Sequence, residues 1–392
     1  MKRYLAGYLQ EFAQSKMVLL SGPRQVGKTT LCQEWLGADG LYLNWDIPEH
    51  REEVLRKIFH REILRLPHDK MVLDEIHKYD RWKNGLKGLT DRRIPGLQIV
   101  VTGSSRLDTF QKGGDSLLGR FERLRLHPIT VAEALGKSFA PPPARWTGTG
   151  KEPEAASIWE RLEHYSGFPE PYLRADKNFY TRWSTGRRNL LVREDIRDLS
   201  QIRALGTLEN LTLLLPEKVM SPLSVNSLRE DLGVAFDTIS SWLTQLEALY
   251  YCFRLSPFAA RIATALKKEQ KLYLWDYAQV ENPAARFENM VASHLLKSVH
   301  LWNDLGYGDF SLHYYRDKQK REVDFILCNR RRPLLAVECK QTDRNVSENL
   351  LFLQKLYPDL TCLQLLGIET GARKTAAGIQ VISAWNFFAA LN

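Results

Sequence analysis

The sequence predicts an α/β chain with a parallel-sheet domain first, a helical middle and a second α/β region last. Three observations carry this. Short apolar runs alternate with helical segments through the first 130 residues; helical spacing takes over from about 158 to 215; and from 271 the pattern is mixed again, closing on strand-like runs that carry acids and a lysine. The first strands are "MVLL" (17–20), "LYLNW" (41–45), "MVLDE" (71–75) and "IVVTG" (99–103), with "RLRLHPI" (123–129) as a fifth. Continuous apolar runs of this length suit strands covered on both faces, and the gaps leave room for crossover helices. The result is a three-layer α/β domain, expected over 1–130.

Next comes "GKSFAPPPARWTGTGKEPEAAS" (136–157), whose proline, glycine and polar content reads as an exposed loop insertion. It interrupts a helical region expected over 131–215, where "VREDIRDLSQIRALGTLENLTLLL" spaces leucine and isoleucine three and four apart. In 216–265, "SVNSLREDLGVAFDTISSWLTQLEALY" resembles a helix-turn-helix that turns at Gly233 and has Thr238 near the start of its second helix. "YYCFRLSPF" would supply the strands of a wing. Residues 266–392 form the last domain. No internal repeat is present.

Composition narrows the function classes. A chain of 392 residues holds two or three domains with their own cores. No apolar run is long enough to cross a bilayer, so no membrane partner is expected. The first twenty residues lack the apolar stretch and cleavage site of a secretory signal. Five cysteines with no C-x-x-C pair indicate reduced, buried thiols and a cytoplasmic location, not a disulfide or zinc framework. A net charge of +9 and a pI near 9.2 are compatible with nucleic acid without requiring it.

"GPRQVGKTT" fits G-x-x-x-x-G-K-[ST] between the strand at 17–20 and the helical run "TTLCQEWL". Gly22, Pro23, Arg24, Gln25, Val26, Gly27, Lys28, Thr29 and Thr30 are the candidate ATP-binding residues. Backbone N–H groups and the helix N-terminus would face the phosphates. Lys28 would neutralise β- and γ-oxygens, and the Thr29 hydroxyl would ligate Mg²⁺. "MVLDEIHK" places Asp74 at a strand end to hold Mg²⁺ through water, and Glu75 to polarise the attacking water as general base. After "IVVTGSSR", Ser104 is the candidate sensor of the γ-phosphate, among Thr102, Ser104 and Ser105. Arg120, in "GRFERLRLHP" with Arg123, is the candidate for a guanidinium acting on a neighbour's γ-phosphate; Arg106 is a second.

"GPRQVGKTT", "VLDEIHKYDRW", "VTGSSR", "LLGRFERLRLHPIT" and "SGFPEPYL" together resemble the AAA+ superfamily ATPases of bacteria and archaea that carry a C-terminal nuclease-like domain of unknown function. The resemblance covers nearly the whole chain. It implies an AAA+ core, a helical lid, a winged helix and a final restriction-endonuclease-like fold, and with them ATP-dependent homo-oligomers. The loop at 136–157 departs from the usual compact form of that region.

The last domain carries "EVDFIL" and "LLAVECK" as neighbouring strands with "CNRRRP" between. Residues two apart on a strand share a face, so Glu338 and Lys340 point one way and Cys339 the other. Pairing would bring Asp324 close, and the helix "RFENMVASHLL" offers Glu288 from its first turn. Glu288, Asp324, Glu338 and Lys340 are similar to the PD-(D/E)XK nuclease set, with Val323 where that family has proline. The similarity implies Asp324 and Glu338 as ligands of Mg²⁺ or Mn²⁺, Glu288 in support, and Lys340 orienting the attacking water. It leaves open a fold that binds without cutting. "YYRDKQKREVDF" and "RRR" read either as a phosphate-tracking surface with Tyr314 and Tyr315 stacking on bases, or as a solvated hairpin end. The helix-turn-helix reads either as DNA-binding or as packing on the lid. The leading expectation is an ATPase acting on DNA; the rivals are a nucleotide switch with an inactive binding module and an assembly protein that uses ATP only to oligomerise.

Overall fold

The computed structural model describes residues 1–59, 68–92, 94–103, 119–137, 141–143, 146, 151–196, 204–258, 269–342 and 345–391, with the backbone alone for 194–196. It divides into two compact units, Met1–His127 with Ala248–Tyr250, and Pro128–Glu247 with Tyr251–Asn392.

The first unit contains, in order, α1 (Ala6–Ala13), β1 (Met17–Ser21), α2 (Lys28–Leu36), β2 (Leu41–Asn44), α3 (Pro48–Glu53), β3 (Lys70–Asp74), α4 (Trp82–Asp91), β4 (Gln98–Thr102) and β5 (Phe121–Arg125). The strands form one parallel sheet in the order β2-β3-β4-β1-β5. β1 is buried throughout, and Leu19, Leu43, Leu73 and Val101 pack with Leu86 and Leu89 of α4 in one core. These are the five apolar runs of the sequence, with one shift. The fifth strand lies at 121–125, not 123–129. Leu126 still donates to the Ser21 carbonyl at 2.9 Å, but Pro128 has no N–H to offer, and Ile129 donates instead to Gly167 at 2.6 Å. That contact explains the glycine of "SGFPEPYL", since a Cβ on Gly167 would stand 2.6 Å from the Ile129 carbonyl oxygen. The sheet order reverses beside β1, so the carboxyl end of β1 opens at the crevice where α/β sheets bind ligands.

The second unit begins with α5 (Val131–Ala134), α6 (Ala155–Tyr165), α7 (Pro169–Arg174) and α8 (Lys177–Leu190). A π-helical turn (Leu191–Ile196) and α9 (Leu205–Leu214) follow. Of the loop at 136–157, the described residues before Ala155 carry no helix or strand, and the others lie outside the described residues. α10 (Val225–Leu232) and α11 (Phe236–Ala248) are the two helices of the helix-turn-helix reading. Ser224 caps α10 by accepting the Ser227 N–H at 3.2 Å, and Gly233 ends it at φ 65°. The wing reading needs correction. "YYCFRLSPF" yields a single strand, β6 (Cys252–Leu255), whose antiparallel partner is β7 (Lys271–Leu274).

α12 (Pro283–Asp304) follows, and then β8 (Phe310–Arg316), β9 (Glu322–Asn329), β10 (Arg332–Lys340), α13 (Glu348–Leu356), β11 (Thr361–Leu366), β12 (Arg373–Lys374), β13 (Gln380–Ser383) and α14 (Ala384–Ala390). The six strands form one mixed sheet, β12-β13-β11-β10-β9-β8. The β9–β10 connection is tighter than "CNRRRP". Only Arg330 and Arg331 lie between the strands, at φ 46° and 67°, the two left-handed residues of a short hairpin loop.

α12 is buried almost all round, from Phe287 through Val299. A helix with no solvated face must satisfy each polar side chain internally. Asn289 does so by accepting the Leu274 N–H and donating to the Leu274 carbonyl, both at 2.8 Å. His294 donates Nδ1–H to the Met290 carbonyl and accepts the Val131 N–H on Nε2, and burial pushes its pKa down to about 3. Lys297 meets Glu133 at 2.5 Å, with both side chains 1% exposed. Glu288 lies in the second turn of α12, not the first.

Candidate nucleotide site and the C-terminal acid cluster

The loop between β1 and α2 is shaped by its glycines. Gly22 has φ +145°, and a Cβ there would lie 2.2 Å from the Leu126 carbonyl oxygen. Gly27, at φ 95°, enters α2. Lys28 is buried, and its ammonium donates to the Gly22 and Pro23 carbonyls at 2.8 Å each. Burial lowers its pKa, against the opposing charges of Glu75 and Asp74. Arg3 braces the loop from outside the motif. Its guanidinium donates to the Val26 carbonyl and, at 2.6 Å, to the His127 carbonyl. Tyr4 beside it donates to the Arg125 carbonyl at 2.7 Å.

Asp74 ends β3, 3% exposed, and accepts three hydroxyls. Thr29 donates at 3.1 Å, and Tyr42 and Thr102 donate as well. Three strands and the phosphate loop thus converge on one carboxylate. Hydroxyl and carboxylate oxygens are the hard donors that Mg²⁺ takes, so Thr29 and Asp74 fit that ion. Glu75 adopts φ 56°, a left-handed conformation that costs a non-glycine residue strain. Its Oε2 lies 3.7 Å from both His77 Nε2 and Lys78 Nζ. Burial raises the Glu75 pKa, while Lys28 and Lys78 pull it back. A raised carboxylate beside the phosphate loop is suited to accepting a proton from water.

Arg120 is paired with Asp91 at 2.8 Å, and Arg123 lies on β5 in register with Leu19. Ser104, Ser105 and Arg106 lie outside the described residues. Arg3 and Tyr4 carried no sequence motif. Tyr42 carried a faint one, being a polar-tipped residue in an apolar strand beside the Asp74 strand. Its hydroxyl orients Asp74, so Tyr42→Phe is expected to lower ATP turnover several-fold at low Mg²⁺ and much less at saturating Mg²⁺. Equal losses at both concentrations would disprove this role.

In the second unit, β9 and β10 pair so that Val337 faces Phe325, which brings Asp324 beside Glu338. Asp324 Oδ2 accepts the Cys339 N–H at 2.8 Å. Glu338 and Lys340 share a strand face and meet at 3.0 Å. Burial raises the pKa of Glu288, Asp324 and Glu338, with Asp324 adding to the rise at the other two. The four sequence candidates are therefore assembled. What the sequence did not reveal is Lys271. This lysine of β7 is 1% exposed and lies 2.6 Å from Glu322, 3.2 Å from Glu288 and 3.7 Å from Asp324. Burial alone would lower its pKa, but Glu288, Asp324 and Glu322 raise it above the ordinary lysine value. Among the described residues no group of three or more His, Cys, Asp or Glu side chains is arranged to hold a metal. With an ammonium between its carboxylates, the cluster as arranged does not fit a divalent ion.

Tyr314 is not available for stacking. Strand alternation turns it inward, 2% exposed, with its hydroxyl on the Glu269 carbonyl. Tyr315 packs on the core beneath β9. Lys318, Lys320, Arg330, Arg331 and Arg332 are exposed. All five cysteines are free, four of them buried and Cys339 partly so. No described helix is long and apolar enough to cross a membrane.

Residues 14–135 match the AAA domain family. The match supports a nucleotide-binding ATPase of the AAA type, in the unit where Lys28, Thr29, Asp74 and Glu75 converge. Residues 157–281 and 284–387 match two domains of unknown function, DUF8612 and DUF4143. Uncharacterized proteins of Mycobacterium bovis and Mycobacterium tuberculosis are each 22% identical over 321 residues, 80% of this chain and 68% of theirs. Among solved structures, a signal transduction ATPase with numerous domains and a tetratricopeptide repeat sensor, from Pyrococcus horikoshii, aligns at 11% identity and a TM-score of 0.25. The alignment covers 77% of this chain and 47% of that one, so the chain spans about half of that structure.

Proposed function

We propose that the protein binds and hydrolyses ATP with Mg²⁺ in its N-terminal unit and uses that cycle as a switch for a C-terminal binding module. The observation that carries the ATPase reading is Asp74, whose carboxylate gathers the hydroxyls of Thr29, Tyr42 and Thr102 one residue from Glu75. Lys28 leaves the Gly22 and Pro23 carbonyls for the β- and γ-phosphates. Thr29 and Asp74 would hold Mg²⁺, which would supply charge neutralisation to the phosphates. Glu75 takes a proton from the attacking water, and Ser104 is the candidate sensor of the γ-phosphate. Arg120 leaves Asp91 and reaches the γ-phosphate of a neighbouring copy in a homo-oligomer. Complementation tests this last step. Arg120→Ala and Glu75→Gln proteins should each be nearly inactive, and mixing them should restore part of the turnover. A protein that stays monomeric with ATP and still hydrolyses it fully would exclude a role across subunits.

For the C-terminal half, the PD-(D/E)XK resemblance supports a nuclease-like fold with DNA as the partner. Lys271 favours binding over metal-dependent cutting, because it already occupies the acid cluster. The exposed Lys318, Lys320 and Arg330–Arg332 are the candidate phosphate contacts, so DNA affinity would fall steeply with added salt.

A further inference from the structure

The acid cluster has its own counter-ion. Four carboxylates, Glu288, Glu322, Asp324 and Glu338, lie within one layer of α12, β9 and β10, and three cations answer them. Lys340 pairs with Glu338 at 3.0 Å and Arg316 with Glu322 at 3.3 Å. Lys271 stands at the centre, its Nζ 2.6 Å from Glu322, 3.2 Å from Glu288 and 3.7 Å from Asp324, with the Tyr314 ring centroid at 5.6 Å. An ammonium has three N–H donors, and here three carboxylates surround it. Two of the carboxylates accept further hydrogen bonds. Tyr273 donates to Glu288 at 2.8 Å and the Cys339 N–H to Asp324 at 2.8 Å. Among the described residues Glu338 Oε2 is the one oxygen of the cluster that is buried with no hydrogen-bond partner, and one oxygen cannot supply the several ligands a hard divalent ion demands.

A divalent ion shared by Glu288 and Asp324 would lie about 2.0–2.6 Å from their oxygens, in the space the Lys271 ammonium fills. We propose that Lys271 is the resident cation of this cluster and that the C-terminal module therefore holds no divalent metal there. The assignment rests on reading the module as a binding element. Its consequence is that removal of one side chain should convert the cluster into a metal site. Lys271→Met leaves Glu288, Asp324 and the orphaned Glu338 oxygen facing each other with no buried cation between them, and charges of one sign at this range need one.

The test is Mn²⁺ titration of the nucleotide-free full-length chain, read by electron paramagnetic resonance, with thermal unfolding measured alongside. Wild type and Asp324→Asn are expected to bind the same number of Mn²⁺ ions. Lys271→Met is expected to bind one more, to unfold at a lower temperature without Mn²⁺, and to recover with it; Lys271→Met/Asp324→Asn should lose the extra ion. A wild-type ion that disappears in Asp324→Asn would overturn the assignment, and so would a folded Lys271→Met with no added ion. If Lys271→Met fails to fold, the comparison of wild type with Asp324→Asn still decides. Labelled duplex DNA is titrated in EDTA in parallel. Loss of DNA binding alone would overturn the DNA-binding reading and leave Lys271 in place.

Discussion

Replacing Glu75 with glutamine is expected to slow ATP hydrolysis by roughly 10²-fold or more while nucleotide stays bound, the range ascribed to a general base. The reason is geometric. Glu75 follows the carboxylate that gathers Thr29, Tyr42 and Thr102, and its left-handed backbone turns it away from the β3 axis. Glutamine keeps the size and one acceptor oxygen but cannot take up the proton. Lys28→Ala should instead lose ATP affinity, because Lys28 is the cation positioned inside the loop. Fluorescent-nucleotide binding and single-turnover hydrolysis separate the two effects. Wild-type turnover by Glu75→Gln would remove the general-base assignment, and unchanged ATP affinity in Lys28→Ala would remove the phosphate contact.

Lys297→Met is expected to destabilise the second unit by about 3–5 kcal/mol, the cost of leaving one member of a buried ion pair unpaired. Glu133 and Lys297 are each 1% exposed, and Lys297 also reaches Thr130 Oγ1 and the Pro128 carbonyl at 3.2 Å. Losing the cation strands the Glu133 carboxylate in the core. The double variant Lys297→Met/Glu133→Leu should recover most of the loss, since replacing both charges with apolar groups is often neutral or better. Urea unfolding of the four proteins of this cycle gives the coupling directly. A single variant that costs less than about 1 kcal/mol would mean the pair is solvated in solution, near the range of exposed pairs.

The first unit was the more legible of the two. The apolar runs at 17–20, 41–45, 71–75 and 99–103 occupy β1 to β4, because strands covered on both faces must be apolar along their length. The phosphate loop was legible because Gly22 and Gly27 meet backbone demands that other residues meet at a cost. The miss at β5 came from reading "LHPI" as strand, when Pro128 has no N–H for the ladder. Tyr314 was misplaced for another reason. A tyrosine beside basic residues reads as surface, and only the register of β8 turns it inward.

By itself the sequence determined the nucleotide loop, the acids at the end of β3 and the pairing of "EVDFIL" with "LLAVECK". Each depends on neighbours within a few residues or on a period of two, and such constraints are written locally. Only the tertiary structure decided what compensates the charges. Arg3 lies 23 positions from the Val26 carbonyl it braces. Lys297 lies 164 positions from Glu133, and Lys271 lies 17 from Glu288 and on a different element from Asp324. A buried charge must be neutralised by whatever the fold brings within a few ångströms, and that distance is set by packing of α12 and the sheets, not by spacing along the chain.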